Sequence, residues 1–383
     1  MAKVLLVDTN FASAPIYSVL KGFGYTVHVI GSNPNDTLAK SAEQYWNIDY
    51  SDTAALSDLI EKEAFDYLVP GCTDRSYKSC AAVSQGRFPG IESPDIEHGM
   101  HNKEKFRAIA EKLNIPIPES QNHNSKNLDY PVIIKPVDSF SGRGITVIKN
   151  RNKKLFDSAI ELARKNSATE EYLLEKFVSG ELYSHSAFLK NKRAIKNFFV
   201  KEDSTVNSFV VDTSRVIFSP PPEMQRQIIN AVEKLARYLR LKDGLIHSQF
   251  IWDGCNIYLI DRNRRIAGDL YSQLIELSTG HPYVENYVRP FLDMPYKNIE
   301  DSDTRIPIMR HTVSVSKEQN FKHISFKESL FLESWVALSS AGDRIKASPD
   351  GSVGILFARA KSQAELLTLY EATIRRQLYE VVD

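Results

Sequence analysis

The sequence predicts a mixed α/β and α+β protein built from two or three domains. Three observations carry this expectation. The chain has 383 residues, more than the roughly 250–300 that one hydrophobic core commonly serves. Its first hundred residues alternate short, uninterrupted apolar runs with helical patterns, the rhythm of a parallel layer. Farther along, apolar runs follow one another across tight polar turns, the rhythm of antiparallel pairing.

Composition narrows the class. Apolar residues make up 42% and charged residues 25%, the balance of a soluble globular chain. Lys plus Arg number 48 and Asp plus Glu 48, so a broad footprint for nucleic acid or an anionic membrane is not expected. Cys72, Cys80 and Cys255 are odd in number and widely spaced, which suits a reducing compartment better than a disulfide framework. No run approaches the roughly 18–20 apolar residues of a membrane span. The opening MAKVLLVDTN meets Asp8 too early for a signal-peptide core. The expected location is cytoplasmic.

In chain order, Val4 to Val7 read as a strand covered on both faces, with Asp8, Thr9 and Asn10 at its polar end. A helix over Ala14–Gly22 and a strand over Tyr25–Ile30 follow. Leu56, Leu59 and Ile60 mark one face of a helix over Thr53–Glu63. Asp66–Val69 is a third strand, ended by Pro70 and Gly71. Ligands in such layers sit beyond the carboxyl ends of strands, where Asp8, Asn10, Thr73 and Asp74 lie. Asp74 is equally a cap for a helix over Arg75–Val83. Gly22 and Gly24 come too late for a dinucleotide fingerprint, which excludes a nicotinamide domain.

Phe106, Ile109, Ala110 and Leu113 make 103–113 an amphipathic helix, stopped by Asn114, Pro116 and Pro118. Strands are expected over Pro131–Pro136, Ile145–Ile148, Tyr172–Val178, Tyr183–Leu189 and Ala194–Val200, with a helix over Leu155–Lys165 among them. The longest helix runs Glu223–Leu239. A hairpin over Ile246–Trp252 and Asn256–Asp261 turns at Asp253-Gly254, a strong hairpin signal. A strand over Val353–Ala358 and a helix over Gln363–Leu378 close an α+β tail.

Three places can carry chemistry. Lys135 interrupts an apolar strand, which is costly unless its ammonium reaches water or an anion such as phosphate. DSFSGRG follows it, where Gly142 and Gly144 expose backbone N–H groups and Ser139 and Ser141 add donors; a plain hairpin turn reads the same way. In the hairpin, Gln249 faces DRNRR, whose Asp261, Asn263 and Arg265 recur at period two and so share a face. One carboxylate and two amide oxygens suit Mg²⁺, though a surface ion-pair cluster has the same spacing. The third place is LLEKFVSGE, a crossover between layers. His185 and His247 read as packing histidines, and no zinc spacing occurs.

These pieces, in this order, resemble the ATP-grasp superfamily over roughly residues 1–300, in particular the large subunit of carbamoyl-phosphate synthase. The resemblance implies a pre-ATP-grasp α/β domain over 1–98, a nucleotide-binding region over 99–300 with a lid near 130–185, and an α+β region over 301–383 that completes or flanks it. NKEKFRAIAEKLNIPIP supplies Lys103 and PVIIKP supplies Lys135 for the phosphates. DSFSGRG, with Ser139, Ser141, Gly142, Arg143 and Gly144, is the loop over ATP. In LLEKFV, Glu175 and the backbone of Lys176 and Phe177 are expected to face adenine, and Glu181 the ribose. Many members carry glutamate where Gln249 stands, but the carbamoyl-phosphate synthase branch carries glutamine. The usual Glu-x-Asn-Pro-Arg reads Asp261-Arg262-Asn263-Arg264-Arg265 here, with Asp261 for glutamate and Arg264 for proline.

The resemblance further implies ATP and Mg²⁺ as cofactors, the metal on Gln249, Asp261 and Asn263, and Arg265 with Lys135 as catalytic residues. The implied reaction activates a small carboxylate, such as an amino acid, as an acyl phosphate that an amine converts to an amide. Asp74, Arg262, Arg264, Ser272 and Gln273 are the expected substrate contacts. A grasp-type kinase or carboxylate activator, and an inactive nucleotide-binding interaction protein, are the alternatives. The sequence leaves oligomeric state open, a homodimer being one arrangement.

Overall fold

The computed structural model describes residues 2–122, 128–139, 142–300 and 304–383. Four consecutive apolar residues in β1 (Lys3–Val7) need cover on both faces, and Val4 to Val7 are indeed fully buried. β1 sits inside a parallel sheet of order β3-β2-β1-β4, with β2 over Thr26–Ile30, β3 over Gln44–Trp46 and β4 over Tyr67–Pro70. α1 (Ala14–Gly22), α2 (Thr37–Ser41), α3 (Thr53–Glu63) and α4 (Asp74–Ser84) connect and cover it. Thr73, not Asp74, caps α4, its side chain accepting from the Ser76 N–H at 3.2 Å; Asp74 is the first helical residue.

α5 (Pro94–His101) and α6 (Lys103–Lys112) meet at Asn102, which ends one and caps the other by accepting from the Lys105 N–H at 2.9 Å. That joint fixes Lys103 at the start of α6. A small antiparallel sheet of order β6-β5-β7 follows, from β5 (Val132–Pro136), β6 (Thr146–Ile148) and β7 (Tyr172–Lys176). The apolar stripe of α7 (Lys153–Lys165), Phe156, Ala159, Ile160 and Ala163, covers Val132, Ile134, Ile148 and Leu174. Alternation therefore turns Ile133 and Lys135 to the opposite face.

The largest sheet has eight strands in the order β12-β11-β8-β9-β10-β13-β18-β16. They are β8 (Glu181–Lys190), β9 (Arg193–Asp203), β10 (Thr213–Val216), β11 (Gly244–Trp252), β12 (Ile257–Asn263), β13 (Ile308–Val313), β16 (Phe331–Ala337) and β18 (Gly354–Arg359). α8 (Pro222–Tyr238), α9 (Tyr271–Thr279), α10 (Tyr283–Val288) and α11 (Gln363–Ile374) lie among them, and β14 (Gln319–Asn320), β15 (His323–Phe326), β17 (Arg344–Ile345) and β19 (Tyr379–Val382) form two small ribbons. The last eighty residues thus extend the central sheet by three strands. α11 stops four residues short of the Leu378 its pattern suggested, at Arg376 with φ 58°.

The two faces of this sheet differ. α6 and α8 pack on one, against Ala187, Phe199, Ile246, Phe250 and Leu259. α9, α10 and the amino-terminal layer share a core with the other, through Phe198, Val200, Val216, Ile355 and Phe357. This second face carries the polar groups described next.

Candidate nucleotide and carboxylate site

Lys135 and its surroundings come first. Its ammonium lies 2.5 Å from Glu175 Oε2, and Arg107 Nε donates to Glu175 Oε1 at 2.6 Å; Glu175 is fully buried. Burial pushes the Lys135 pKa down to about 8, Glu175 opposing and Arg107 and Lys103 adding to the fall. The Glu175 carboxylate is thus paired with two cations. The Lys176 and Phe177 N–H groups are also engaged, donating at 2.8 Å to the Glu119 and Pro131 carbonyls. The Lys176 side chain pairs with exposed Asp129. Arg107 was missed. Its signal is a charge beside Phe106 and Ala110 on the buried face of α6.

Lys103 is the link to the second group. It donates to the Ser139 carbonyl at 3.0 Å, at the start of the glycine-rich loop. Burial lowers its pKa, while the nearby Asp261 and Asp74 carboxylates oppose the fall. Ser139 Oγ donates to the Arg143 carbonyl at 3.3 Å, and the Arg143 guanidinium reaches Asp350 at 2.9 Å. Gly142 has φ 68°, and a Cβ there would lie 2.7 Å from the Phe209 carbonyl, so only glycine fits. Gly144 has φ 74°. Ser141 lies outside the described residues.

The hairpin supplies the third group. Gln249 stands opposite Asp261 and His247 opposite Asn263, with a bulge between Gln249 and Phe250. Leu259 belongs to the buried far face, so strict alternation would put Asp261 there too; the bulge turns it back beside Gln249. Asp261 and Asn263 share the face as expected. The same alternation sends Arg262 and Arg264 to the other side. Arg262 stacks 3.6 Å over the Phe106 ring, its pKa pushed down by burial to about 9, and Arg264 pairs with buried Glu92 at 3.1 Å. Both guanidinium groups are buried there.

Asp74 is likewise committed. Arg265 approaches its Oδ1 at 2.6 Å through both Nε and a terminal nitrogen, Asn263 donates to it at 2.9 Å in its hydrogen-bonding orientation, and His101 lies at 3.7 Å. Burial pushes this carboxyl up, but Arg265 and His101 outweigh that and hold its pKa well below the usual range. Asp74 thus orients Asn263 and Arg265. His185 and His247 are neutral packing groups, their pKa values driven by burial to about 4 and about 3.

Two further residues on this face were not foreseen. Glu202 accepts from Gln249 Nε2 at 2.7 Å. Buried Arg310 donates to Ser214 Oγ at 2.7 Å and Thr312 Oγ1 at 2.9 Å and approaches Asp269 at 3.4 Å; among the described residues its Nε has no hydrogen-bond partner. Each interrupts a strand with a charge, as Lys135 does, but neither has a motif around it. Ser272 is buried at the start of α9, and the buried Gln273 Oε1 has no hydrogen-bond partner among the described residues. Glu181 is 59% exposed and accepts from Tyr183 Oη at 2.7 Å.

Among the described residues no group of three or more His, Cys, Asp and Glu is arranged to hold a metal. Asp261 with the Gln249 and Asn263 amides nevertheless fits a magnesium ion that draws its remaining ligands from phosphate and water: Gln249 Oε1 accepts no hydrogen bond among the described residues, and all three share a face.

Residues 128–273 match the family model described as an ATP-grasp domain. The carbamoyl phosphate synthase large chain of Clostridium acetobutylicum is 23% identical over 289 residues, 70% of this chain and 26% of that one. The chain spans between 26% and 47% of the first three curated relatives it matches. Among solved structures, an L-amino acid ligase from Bacillus licheniformis superposes with a TM-score of 0.79 at 16% identity, covering 100% of this chain and 99% of that one. The phosphoribosylglycinamide synthetase of Anaerococcus prevotii does so with a TM-score of 0.76, also at 16% identity, with coverage of 100% and 99%.

Proposed function

We propose that this chain, whose residues 128–273 match an ATP-grasp domain, is an ATP-dependent ligase joining a small carboxylate to an amine through an acyl phosphate. The observation that supports the reading is Lys103, which donates to the Ser139 carbonyl at the start of the glycine-rich loop at 3.0 Å and lies near Asp261 and the Lys135 pair. Several relatives are named as ligases or synthetases, and that supports the class without fixing the substrates.

Phosphoryl transfer needs alignment and charge neutralisation more than reactive side chains. Lys135 and Lys103 hold the phosphates, and the loop around Gly142 and Gly144 shuts water from the reacting atoms. Gln249 Oε1, Asp261 and Asn263 would hold magnesium, which would supply charge neutralisation of the triphosphate. The carboxylate oxygen attacks the γ-phosphorus, the bond to the bridging oxygen breaks, and ADP leaves. Arg265, fixed by Asp74, meets the charge that develops on the transferred group. Arg310, on the same sheet face and with an Nε that has no partner among the described residues, holds the carboxylate. The amine nitrogen then attacks the acyl carbon and phosphate departs.

The test is ADP release across pairs of amino acids and small carboxylates, with mass detection of condensed product. The reading predicts release that needs both partners and gives a product one water lighter than their sum. Release with the carboxylate alone would identify a kinase or activator instead. ATP binding without turnover in any mixture would identify a nucleotide-binding interaction protein.

A further inference from the structure

Gln249 lies between two carboxylates. Asp261 stands opposite it on β12, and on its other side Ser184 of β8 is its partner in register. Ser184 pairs in turn with Val200 of β9, which puts Glu202, two residues on, on the same face. Glu202 Oε2 accepts from Gln249 Nε2 at 2.7 Å, and Glu202 itself is only 3% exposed.

An amide has one donating and one accepting end, and rotation exchanges them at little cost. An anion at one end removes that freedom, because only the NH₂ end can face a carboxylate. The Oε1 end is the one left without a hydrogen bond among the described residues. Such outer contacts commonly set the orientation and affinity of metal ligands. We propose that Glu202 is a positioning residue that locks the Gln249 amide with its oxygen presented to the metal ion. This rests on the ligase reading above, in which Gln249 is a ligand.

The pairing also accounts for an amide, rather than the more frequent glutamate, at position 249. A carboxylate there would face Glu202 across a hydrogen-bond distance, and one of the two would have to keep a proton. With glutamine the negative charge moves two strands inward and the contact becomes a charge-assisted hydrogen bond.

The test is titration of Mn²⁺ into the full-length protein saturated with ADP, following free Mn²⁺ by electron paramagnetic resonance, for wild type, Gln249→Ala, Glu202→Gln and the double variant. Thermal melts confirm that each is folded. The expected result is a weakening of Mn²⁺ binding by about 10-fold or more in Gln249→Ala, the scale of outer-ligand effects, and a similar loss in Glu202→Gln. Glu202→Gln should cost nothing further once Gln249 is alanine. A Glu202→Gln protein that binds Mn²⁺ like wild type, while Gln249→Ala does not, overturns the inference. So does an equal additional loss in the double variant, which would make Glu202 a ligand in its own right. If Gln249→Ala itself leaves Mn²⁺ binding unchanged, the failure lies with the assignment of the metal site.

Discussion

Glu175 is shared by an ammonium and a guanidinium in a buried setting, and its proton balance sets what Lys135 can do. The Lys135 pKa lies near 8, with burial as its first cause. Below that pH the ammonium is present and available to phosphate; above it, it is progressively lost. Nucleotide affinity should therefore fall as pH rises through about 8, read by calorimetric titration of ADP, and the fall should vanish in Lys135→Arg. For stability the sign reverses. The folded chain binds this proton more weakly than the unfolded chain, whose lysine titrates near 10.5, so the contribution of Lys135 to stability rises between pH 8 and that value. Arg265 makes a different prediction. Arg265→Ala should lower kcat by about 100-fold or more, the scale of losing one transition-state donor, while ADP affinity changes much less. Equal losses in both would place Arg265 in ground-state binding.

At the scale of elements, position is decided by caps, bulges and pairs that span them. Thr73 caps α4 and so fixes Asp74, which aims Asn263 and Arg265. Thr73→Ala should cost about 1 kcal/mol in chemical denaturation. Its effect on turnover should exceed what that loss explains, because the carboxylate under Arg265 shifts. Glu92 and Arg264 are almost wholly buried and join the segment before α5 to the end of β12. Glu92→Ala should destabilise by about 3–5 kcal/mol by leaving a guanidinium unpaired, whereas removing both partners should cost less.

Much of this was legible beforehand, for identifiable reasons. α1 and α3 were readable to the residue because apolar spacing and breakers agreed. The shared face of Asp261 and Asn263 was expected from period two, yet it holds only because a bulge reverses the phase set by Leu259. Nothing in the spacing announces that bulge. The burial of Arg262 and Arg264 on the opposite face follows from the same period. Glu175, Arg107, Glu202 and Arg310 meet Lys135, Glu175, Gln249 and Ser214 across long stretches of chain, and one sequence carries no signal for such pairings.

At the scale of the whole molecule, one continuous core joins the amino-terminal layer to the far sheet face through α9 and α10. The site lies where these parts meet, with the small sheet bearing Lys135 set apart on its own core beneath α7. This division predicts that denaturation unfolds the amino-terminal layer and the large sheet in one transition, with the α7 unit free to yield earlier. Hydrogen exchange followed by mass spectrometry would show Val132–Pro136 and α7 opening at lower cost than β1 and β8. Among the described residues no helix is long and apolar enough to cross a membrane.

The central claim is that Lys135 and Asp261 serve a single metal-bound triphosphate. A crystal structure with Mn²⁺ and a non-hydrolysable ATP analogue, using anomalous scattering to locate the metal, tests it most directly. The account predicts manganese against Asp261, Asn263 and Gln249 Oε1, with Lys135 and Lys103 on phosphate oxygens of the same nucleotide. A nucleotide bound elsewhere, or manganese away from Asp261 while Lys135 holds phosphate, would contradict it.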